Sequence, residues 1–398
     1  MNANSSVSAE GPKMQSIRPM DAVVALYSDG DHALSEAIIA SLSQAIFGGG
    51  HFAPASSAKR AMARIFYQVL KWTTTRRKGD AEKYCGGAHH NPILDRTGHP
   101  YARALLDSSR EEHESLVEGG DPMNGPYMLI APEIRQACDT WDRIFMDSVQ
   151  SRDVQLRFAW ETQATYQVAK ARLDAGASTG VGVRLKAIAA GTGLSMILVY
   201  DRLLQDGYDP ARITVRITDR DKSNVEKTNR LLAKLRSTRD RVSAAKSAGA
   251  GGILAEPEDI FQESAEDIAR LPKYDVVTAV GILEYLQGFT CGSTERCLKV
   301  EETPETATAQ VLAARLDAMT TDSATLIVNT FRSHASARIL ELFGRKFRYR
   351  TQENLSALLA PAHFQNPRLV GAGNMYDIVV YEKKAGAGAT DGAGADAR

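Results

Sequence analysis

The chain lacks most features that reveal a protein's compartment or partner at once. Among 398 residues there are four cysteines, Cys85, Cys138, Cys291 and Cys297. They are scattered, the last two too far apart for a C-x-x-C motif, and no Cys/His cluster accompanies them. That excludes a disulfide framework, predicts no metal site and fits a reducing cytoplasm. No run of about 18 apolar residues exists, so no membrane-spanning helix is expected. The opening MNANSSVSAEGPKMQS has no apolar centre of the kind a signal peptide needs. Charge of one sign is also missing: Lys plus Arg and Asp plus Glu each number 48. A neutral chain offers no electrostatic attraction to nucleic acid or an anionic membrane. The local run Arg76-Arg77-Lys78 reads as a solvated helix end.

What is present divides into two textures. Residues 1–18 are polar without periodicity and predict a disordered N-terminus. The closing AGAGATDGAGADAR, residues 385–398, predicts a flexible Gly/Ala tail. Residues 19–175 read as helical. One helix is predicted over 31–47, where Leu34, Ile38, Ile39, Leu42 and Ile46 recur at helical spacing. Others are predicted over 58–76, 100–118 and 133–173, the last broken near Ser148–Asp153. Residues 85–99, CGGAHHNPILDRTGH, form a polar loop. From about 180, strand-like runs at 184–190, 212–218, 252–256, 273–280, 324–330 and 376–382 alternate with helical patterns. The helical stretches are 193–205, 222–236, 262–270, 306–319 and 334–344. This alternation predicts an α/β fold, a mainly parallel Rossmann-like sheet over residues 176–384. The helical region 19–175 would then be a substrate or cap domain.

Ligands of such sheets bind beyond the carboxyl ends of the strands. The first strand ends in Gly191-Thr192-Gly193, which is either a structural turn or a close approach of backbone to a ligand. The second ends in Thr218-Asp219-Arg220-Asp221. Asp219 suits the hydroxyls of a ribose, and Asp221 suits the cap of the following helix. The third ends in Ala255-Glu256-Pro257-Glu258-Asp259-Ile260-Phe261, an acidic surface loop or an adenine site. There Asp259 would accept from the exocyclic amine while Ile260 packs on the ring. The fourth runs YDVVTAV into Gly281-Ile282-Leu283-Glu284-Tyr285-Leu286.

In this order AIAAGTG, ITDRDKSNVEKT, EDIF and YDVVTAVGILEYL resemble the motif series of class I S-adenosylmethionine-dependent methyltransferases. Within that family the nearest likeness is to bacterial methyltransferases of unassigned substrate. The resemblance covers residues 180–385 and implies S-adenosyl-L-methionine as cofactor. It places Ala189, Gly191 and Gly193 along the cofactor's methionine part, Asp219 on the ribose, and Asp259 with Ile260 on the adenine. Val280, Gly281 and Glu284 would face cofactor and substrate. The family's usual acid in the first strand is replaced by Ala187, so either another acid, Glu161 or Glu284, receives the cofactor's amino group, or the domain binds the cofactor weakly or not at all. A nicotinamide cofactor fits less well. The third glycine of G-x-G-x-x-G is Met196, and Asp219 lies 26 residues beyond Gly193 where about 20 is usual. No P-loop is present. The slot after the fourth strand reads Val280-Gly281-Ile282-Leu283 rather than an Asp/Asn-Pro-Pro-aromatic motif, which disfavours nucleobases and amides as acceptors.

The expected activity is methyl transfer to a small molecule. Transfer of the aminocarboxypropyl group of the same cofactor, or a non-catalytic interaction role, are the alternatives. Candidates for a catalytic group are His334, just after the fifth strand, Glu284 and Tyr127. His89, His90, Asp95 and His99 in the polar loop, and Tyr84 in a similar Gly-containing stretch, are further polar residues of the helical half, His89 and His90 more readily read as solvated. Expected partners are a small-molecule substrate and, at most, a second copy of the chain as a homodimer.

Overall fold

A computed structural model of the protein describes residues 14–50, 52–75, 98–102, 124–238, 252–286, 308–342 and 347–384. Residues 1–13 and 385–398, Tyr84, His89, His90, Asp95, Arg76-Arg77-Lys78, Cys85, Cys291, Cys297 and most of the 100–118 helix lie outside the described residues. Residues 14–18, expected to be disordered, are ordered instead: Met14–Ser16 form a helical turn and Arg18 pairs with Asp142 and Asp139. Among the described residues no helix is long and apolar enough to cross a membrane. Cys138 is buried, and burial pushes its thiol up to about 11.

The N-terminal part is helical, as its apolar spacing predicts. A short helix that the sequence pattern does not reveal, α1 (Pro19–Tyr27), comes first. In α2 (His32–Phe47), the Asp31 side chain accepts the Leu34 N–H at 3.0 Å, and Ile38, Ile39, Leu42 and Ile46 are buried. Then follow α3 (Ser57–Thr75) and α4 (Asn124–Met128). The helix predicted over 133–173 is three helices, α5 (Pro132–Ala137), α6 (Thr140–Met146) and α7 (Val149–Ala175). Asp139 and Asp142 form a capping box that starts α6, and Ser148 precedes α7. Capping chemistry therefore sets the first break, while at the second the Ser148 hydroxyl donates back to the Phe145 carbonyl at 2.9 Å.

From Val183 the chain alternates: β1 (Val183–Ile188), α8 (Leu194–Gln205), β2 (Ile213–Asp219), α9 (Lys222–Thr238), β3 (Gly252–Pro257), α10 (Ala265–Arg270) and β4 (Tyr274–Ala279). After these come α11 (Ala309–Met319), β5 (Thr320–Asn329), α12 (Ala335–Leu342), α13 (Gln352–Leu359), β6 (Phe364–Ala372) and β7 (Asp377–Lys383). The seven strands stand in the order β3-β2-β1-β4-β5-β7-β6. Strands β1 to β5 run parallel, and β7 is antiparallel to both β5 and β6. This is the mainly parallel, Rossmann-like sheet that the alternation predicts. The order reverses between β1 and β4, the switch point at which such sheets open a crevice.

Alternate residues of the strands feed two cores, as the pleat requires. Val276, Ile327, Ile378 and Val380 join α1, α2, α7 and α8 on one face. Val277, Leu326, Val328, Val379 and Tyr381 join α11 and α13 on the other. The first core runs unbroken from Ala22 to Val380. Helix α7 packs against β1, β4, β5, β6 and β7 on one side and α2 on another. That double burial explains why its sequence shows no single apolar stripe. Gly371 of β6 is shaped by the same helix, because a β-carbon there would stand 2.1 Å from Trp160 Cδ2.

Candidate functional site

The switch point is built first from backbone. After β1 the chain turns through Ala189, Gly191 and Gly193, with φ of 50°, 57° and 60°. A β-carbon on Gly193 would lie 2.4 Å from Ile217 Cγ2, so glycine lets α8 begin directly against β2. Ala189 holds the same left-handed backbone with a side chain, at a cost of roughly 1 kcal/mol. Such strain collects at functional turns. The buried Thr192 hydroxyl takes a hydrogen bond from Tyr27 Oη at 2.8 Å and donates to Asn124 Oδ1 at 3.1 Å. The N-terminal helices thus clasp the middle of the turn. The Asn124 Nδ2 group is buried with no hydrogen-bond partner.

Asp219 ends β2, and its carboxylate is joined to this turn. Oδ2 accepts the Gly191 N–H at 2.7 Å and Oδ1 accepts the Asp221 N–H at 2.8 Å. Asp221 in turn accepts the Ser223 N–H at 2.9 Å at the start of α9. Ala187 is buried among apolar side chains, so β1 offers no acid. Glu161 of α7 stands beside the turn instead, accepting from Ser195 Oγ at 3.1 Å in the first turn of α8. Burial raises the Glu161 carboxyl to about 7 against the opposing pull of Arg157 and Ser195. At the end of β3, Asp259 Oδ1 accepts the Phe261 N–H at 3.0 Å, and Ile260 is buried in the second core with Ile188, Ala279 and Ile282.

Beyond β4 and β5 the rim is built from charge. Gly281, with φ of 87°, donates its N–H to Asn329 Oδ1 at 2.7 Å, at the end of β5. A β-carbon on Gly281 would stand 3.2 Å from Arg157 Nη1. Arg157 reaches in from α7: Nη1 donates to Glu284 Oε1 at 3.2 Å and Nη2 to Tyr127 Oη at 3.3 Å, while the guanidinium lies 4.7 Å from the Tyr376 ring centre. Glu284 Oε2 accepts from Asn329 Nδ2 at 3.3 Å. Tyr127 stacks on Phe158 at 4.2 Å. The buried Arg350 holds the 283–285 turn through the carbonyls of Leu283 and Leu286. Val280 is half-buried against the first core.

The structure therefore gathers Ala189, Gly191, Gly193, Asp219 and Glu161 around one turn, and Gly281, Glu284 and Tyr127 around Arg157. His334 sits apart from both, as the cap of α12, with Nδ1 accepting the Ser336 N–H at 3.2 Å. His99 belongs to a structural tie, Nε2 lying 2.8 Å from Asp142 Oδ1, a carboxylate that Arg18 also binds at 3.1 Å. Arg18 also reaches Asp139 at 2.9 Å, so these acids already have their cation. Arg157, Asn124, Asn329, Tyr376 and Arg350 are contributors that sequence reasoning missed. Two had readable signals. Asn329 is the last residue of β5, where the strand-end rule points. Asp153, Arg157 and Glu161 are spaced one helical turn apart within a mainly apolar stretch.

No family model matches the chain, and no curated protein matches it. Among solved structures, the chain is similar to the CurJ carbon methyltransferase at 13% identity, covering 93% of this chain and 100% of that one, with a TM-score of 0.41. The citrinin polyketide synthase CMeT domain is 11% identical, covers 93% of this chain and 99% of its own, and has a TM-score of 0.43. A possible exported protein of Bordetella parapertussis is 13% identical, with 88% and 95% covered and a TM-score of 0.43. The functional reading rests on the chain's own residues.

Proposed function

We propose that the protein transfers a methyl group from S-adenosyl-L-methionine to a small-molecule acceptor over the carboxyl ends of β1 to β5. The observation that carries this reading is Asp219. Its carboxylate terminates β2, bonds the Gly191 N–H of the glycine turn, and so forms one unit with that turn at the switch point. A carboxylate there suits the two hydroxyls of a ribose.

The residues around it fit the rest of the cofactor. Its amino-acid end carries both charges. Glu161 supplies from α7 the acid that Ala187 cannot supply from β1. The orphaned Asn124 Nδ2, whose own carbonyl is tied to Thr192, supplies a buried donor for the carboxylate. Asp259 and Ile260 are assigned to the adenine, and Val280 and Gly281 to the side facing the transferred group. When bound, the cofactor supplies a methyl group on a positively charged sulfur. The chain's part is to position, orient and exclude water. Both Glu284 oxygens are engaged, by Arg157 and Asn329, so Glu284 fixes the guanidinium rather than moving a proton. The Tyr127 hydroxyl, held by Arg157 and by its stack on Phe158, is the protein oxygen assigned to the acceptor side.

Calorimetry with S-adenosyl-L-methionine tests the reading. The expected result is a Kd of about 1–100 μM, at least about tenfold weaker in Asp219→Ala. A folded wild-type protein giving no binding heat would overturn it. Ala187 keeps one related reading open, transfer of the aminocarboxypropyl group. Its product is methylthioadenosine, whereas methyl transfer leaves S-adenosylhomocysteine.

A further inference from the structure

A cavity of about 470 Å³ opens between α3 and the start of α12, lined by residues that include Arg64, Ile65, Tyr67, His334 and Arg338. Its volume is that of a small-molecule site. None of the residues assigned to the cofactor lines it.

Its chemistry is one-sided. Arg64 and Arg338 line it, and no acidic residue does. Among the described residues neither guanidinium has an ion-pair partner, although Arg332 close by is paired with Asp377 at 2.9 Å. Two uncompensated cations on one concave wall raise the local concentration of anions. Guanidinium groups also bind carboxylate and phosphate with paired, charge-assisted hydrogen bonds. His334 adds a donor. A backbone N–H can only donate, so the Ser336 N–H on Nδ1 makes that nitrogen an acceptor and puts the ring proton on Nε2. Burial, then Arg64, Arg60 and Arg332, lower the His334 pKa and keep the ring in this neutral form. Ile65, Tyr67 and Ala335 give the cavity apolar walls.

The cavity also adjoins the charged rim. Ser333, in its lining, follows Phe331-Arg332. The Phe331 ring lies 5.0 Å from that of Tyr376, the ring over which Arg157 is placed. The segment that lines the cavity is thus rooted in the aromatic cluster of Phe331 and Tyr376, against which Tyr127 packs and over which Arg157 lies.

We propose that this cavity binds the anionic end of the acceptor, a carboxylate or phosphate carried on an apolar body, through Arg64, Arg338 and the Nε2–H of His334. Anion binding follows from the cavity alone; its role as acceptor anchor rests on the methyltransferase reading.

The test is titration calorimetry of the full chain with benzoate, phenyl phosphate and the neutral benzamide, each with and without saturating S-adenosylhomocysteine. The expected result is saturable binding of benzoate or phenyl phosphate in the millimolar range or tighter, with benzamide at least about tenfold weaker. Whichever of benzoate and phenyl phosphate binds more tightly identifies the head group. Arg64→Ala/Arg338→Ala should weaken the better anion at least about tenfold. Both side chains are exposed, so the melting temperature of that variant should match wild type. Binding that persists with S-adenosylhomocysteine present supports a separate acceptor site. The proposal is overturned if neither anion binds, if the double variant binds as well as wild type, or if S-adenosylhomocysteine displaces the anion. Loss of S-adenosylhomocysteine binding itself would instead defeat the methyltransferase reading and leave the anion result standing.

Discussion

The two halves of the strand-end rim are built from different materials. Over β1 and β2 the working surface is backbone: three left-handed residues, a turn clasped through Thr192, and a carboxylate held by two N–H groups. Over β4 and β5 it is side-chain charge, with Arg157 inserted from α7 between Gly281, Glu284, Tyr127 and Tyr376. The first half depends on shape and the second on charge balance. Substitutions should therefore damage the two halves in different ways.

The largest effect is expected in the charged half. The Glu284 side chain is 1% exposed and pairs with Arg157 at 3.2 Å, while the buried Arg350 lies within reach of its charge. Arg157→Met would leave a buried carboxylate without its ion-pair partner, a loss of about 3 kcal/mol in stability, at the lower end for such pairs because Arg350 and Asn329 remain. Adding Glu284→Gln removes that charge as well and should recover about 2 kcal/mol of the loss. Urea midpoints of the two variants measure this directly. Equal midpoints would mean that the rim over β4 and β5 is held by packing, and the contrast between the halves would fall.

The backbone half should answer to volume instead. Gly193→Ala drives a methyl group to within 2.4 Å of Ile217 Cγ2 at a φ of 60°. Overpacking and left-handed strain together predict a loss of about 2–4 kcal/mol. The partner change Ile217→Val removes only Cδ1 and leaves Cγ2, the nearer clash, in place. It should therefore recover less than about 1 kcal/mol in the double variant. A double variant as stable as wild type would show that the turn yields easily and that its shape is not fixed by β2.

The same contrast explains what was legible in the sequence. The backbone half announces itself locally. Glycine, alanine and aspartate at strand ends are single-residue signals, and the β1, β2 and β4 runs are apolar enough to be read directly. The charged half is assembled across the chain: Arg157 and Glu284 are 127 positions apart and meet only because α7 lies across the sheet. Spacing along one helix puts Asp153, Arg157 and Glu161 on one face, a signal passed over, but it does not say what that face meets. Strand β6 escaped for another reason. It is an exposed edge carrying Pro367, Gly371 and a left-handed Asn366, with two register shifts against β7. Those are marks of a bulged edge strand, which periodicity does not detect.

The smallest effect separates the halves most finely, because Glu161 belongs to both. It lies one turn beyond Arg157 on α7 and touches Ser195 beyond the glycine turn. Burial raises its carboxyl from 4.5 to about 7. The folded chain therefore binds this proton more tightly than the unfolded chain. Its contribution to stability is present below about pH 4.5 and is lost as the pH rises through about 7. Asp153, raised by burial to about 6, contributes a slope of the same sign at lower pH. Glu161→Gln should thus remove the slope between about pH 6 and pH 7 and roughly halve it between about pH 4.5 and pH 6, where Asp153 still contributes. Cofactor binding reverses the logic. An ammonium group placed against Glu161 favours the charged carboxylate, so binding must release the proton. Affinity for S-adenosylhomocysteine should then rise by up to about tenfold per pH unit below pH 7 and level off above it, and Glu161→Gln should abolish that slope. Parallel affinity profiles for wild type and variant would place the amino group elsewhere. Ala187 would then mark a methionine end held by backbone alone, and the charged face of α7 would belong wholly to the acceptor.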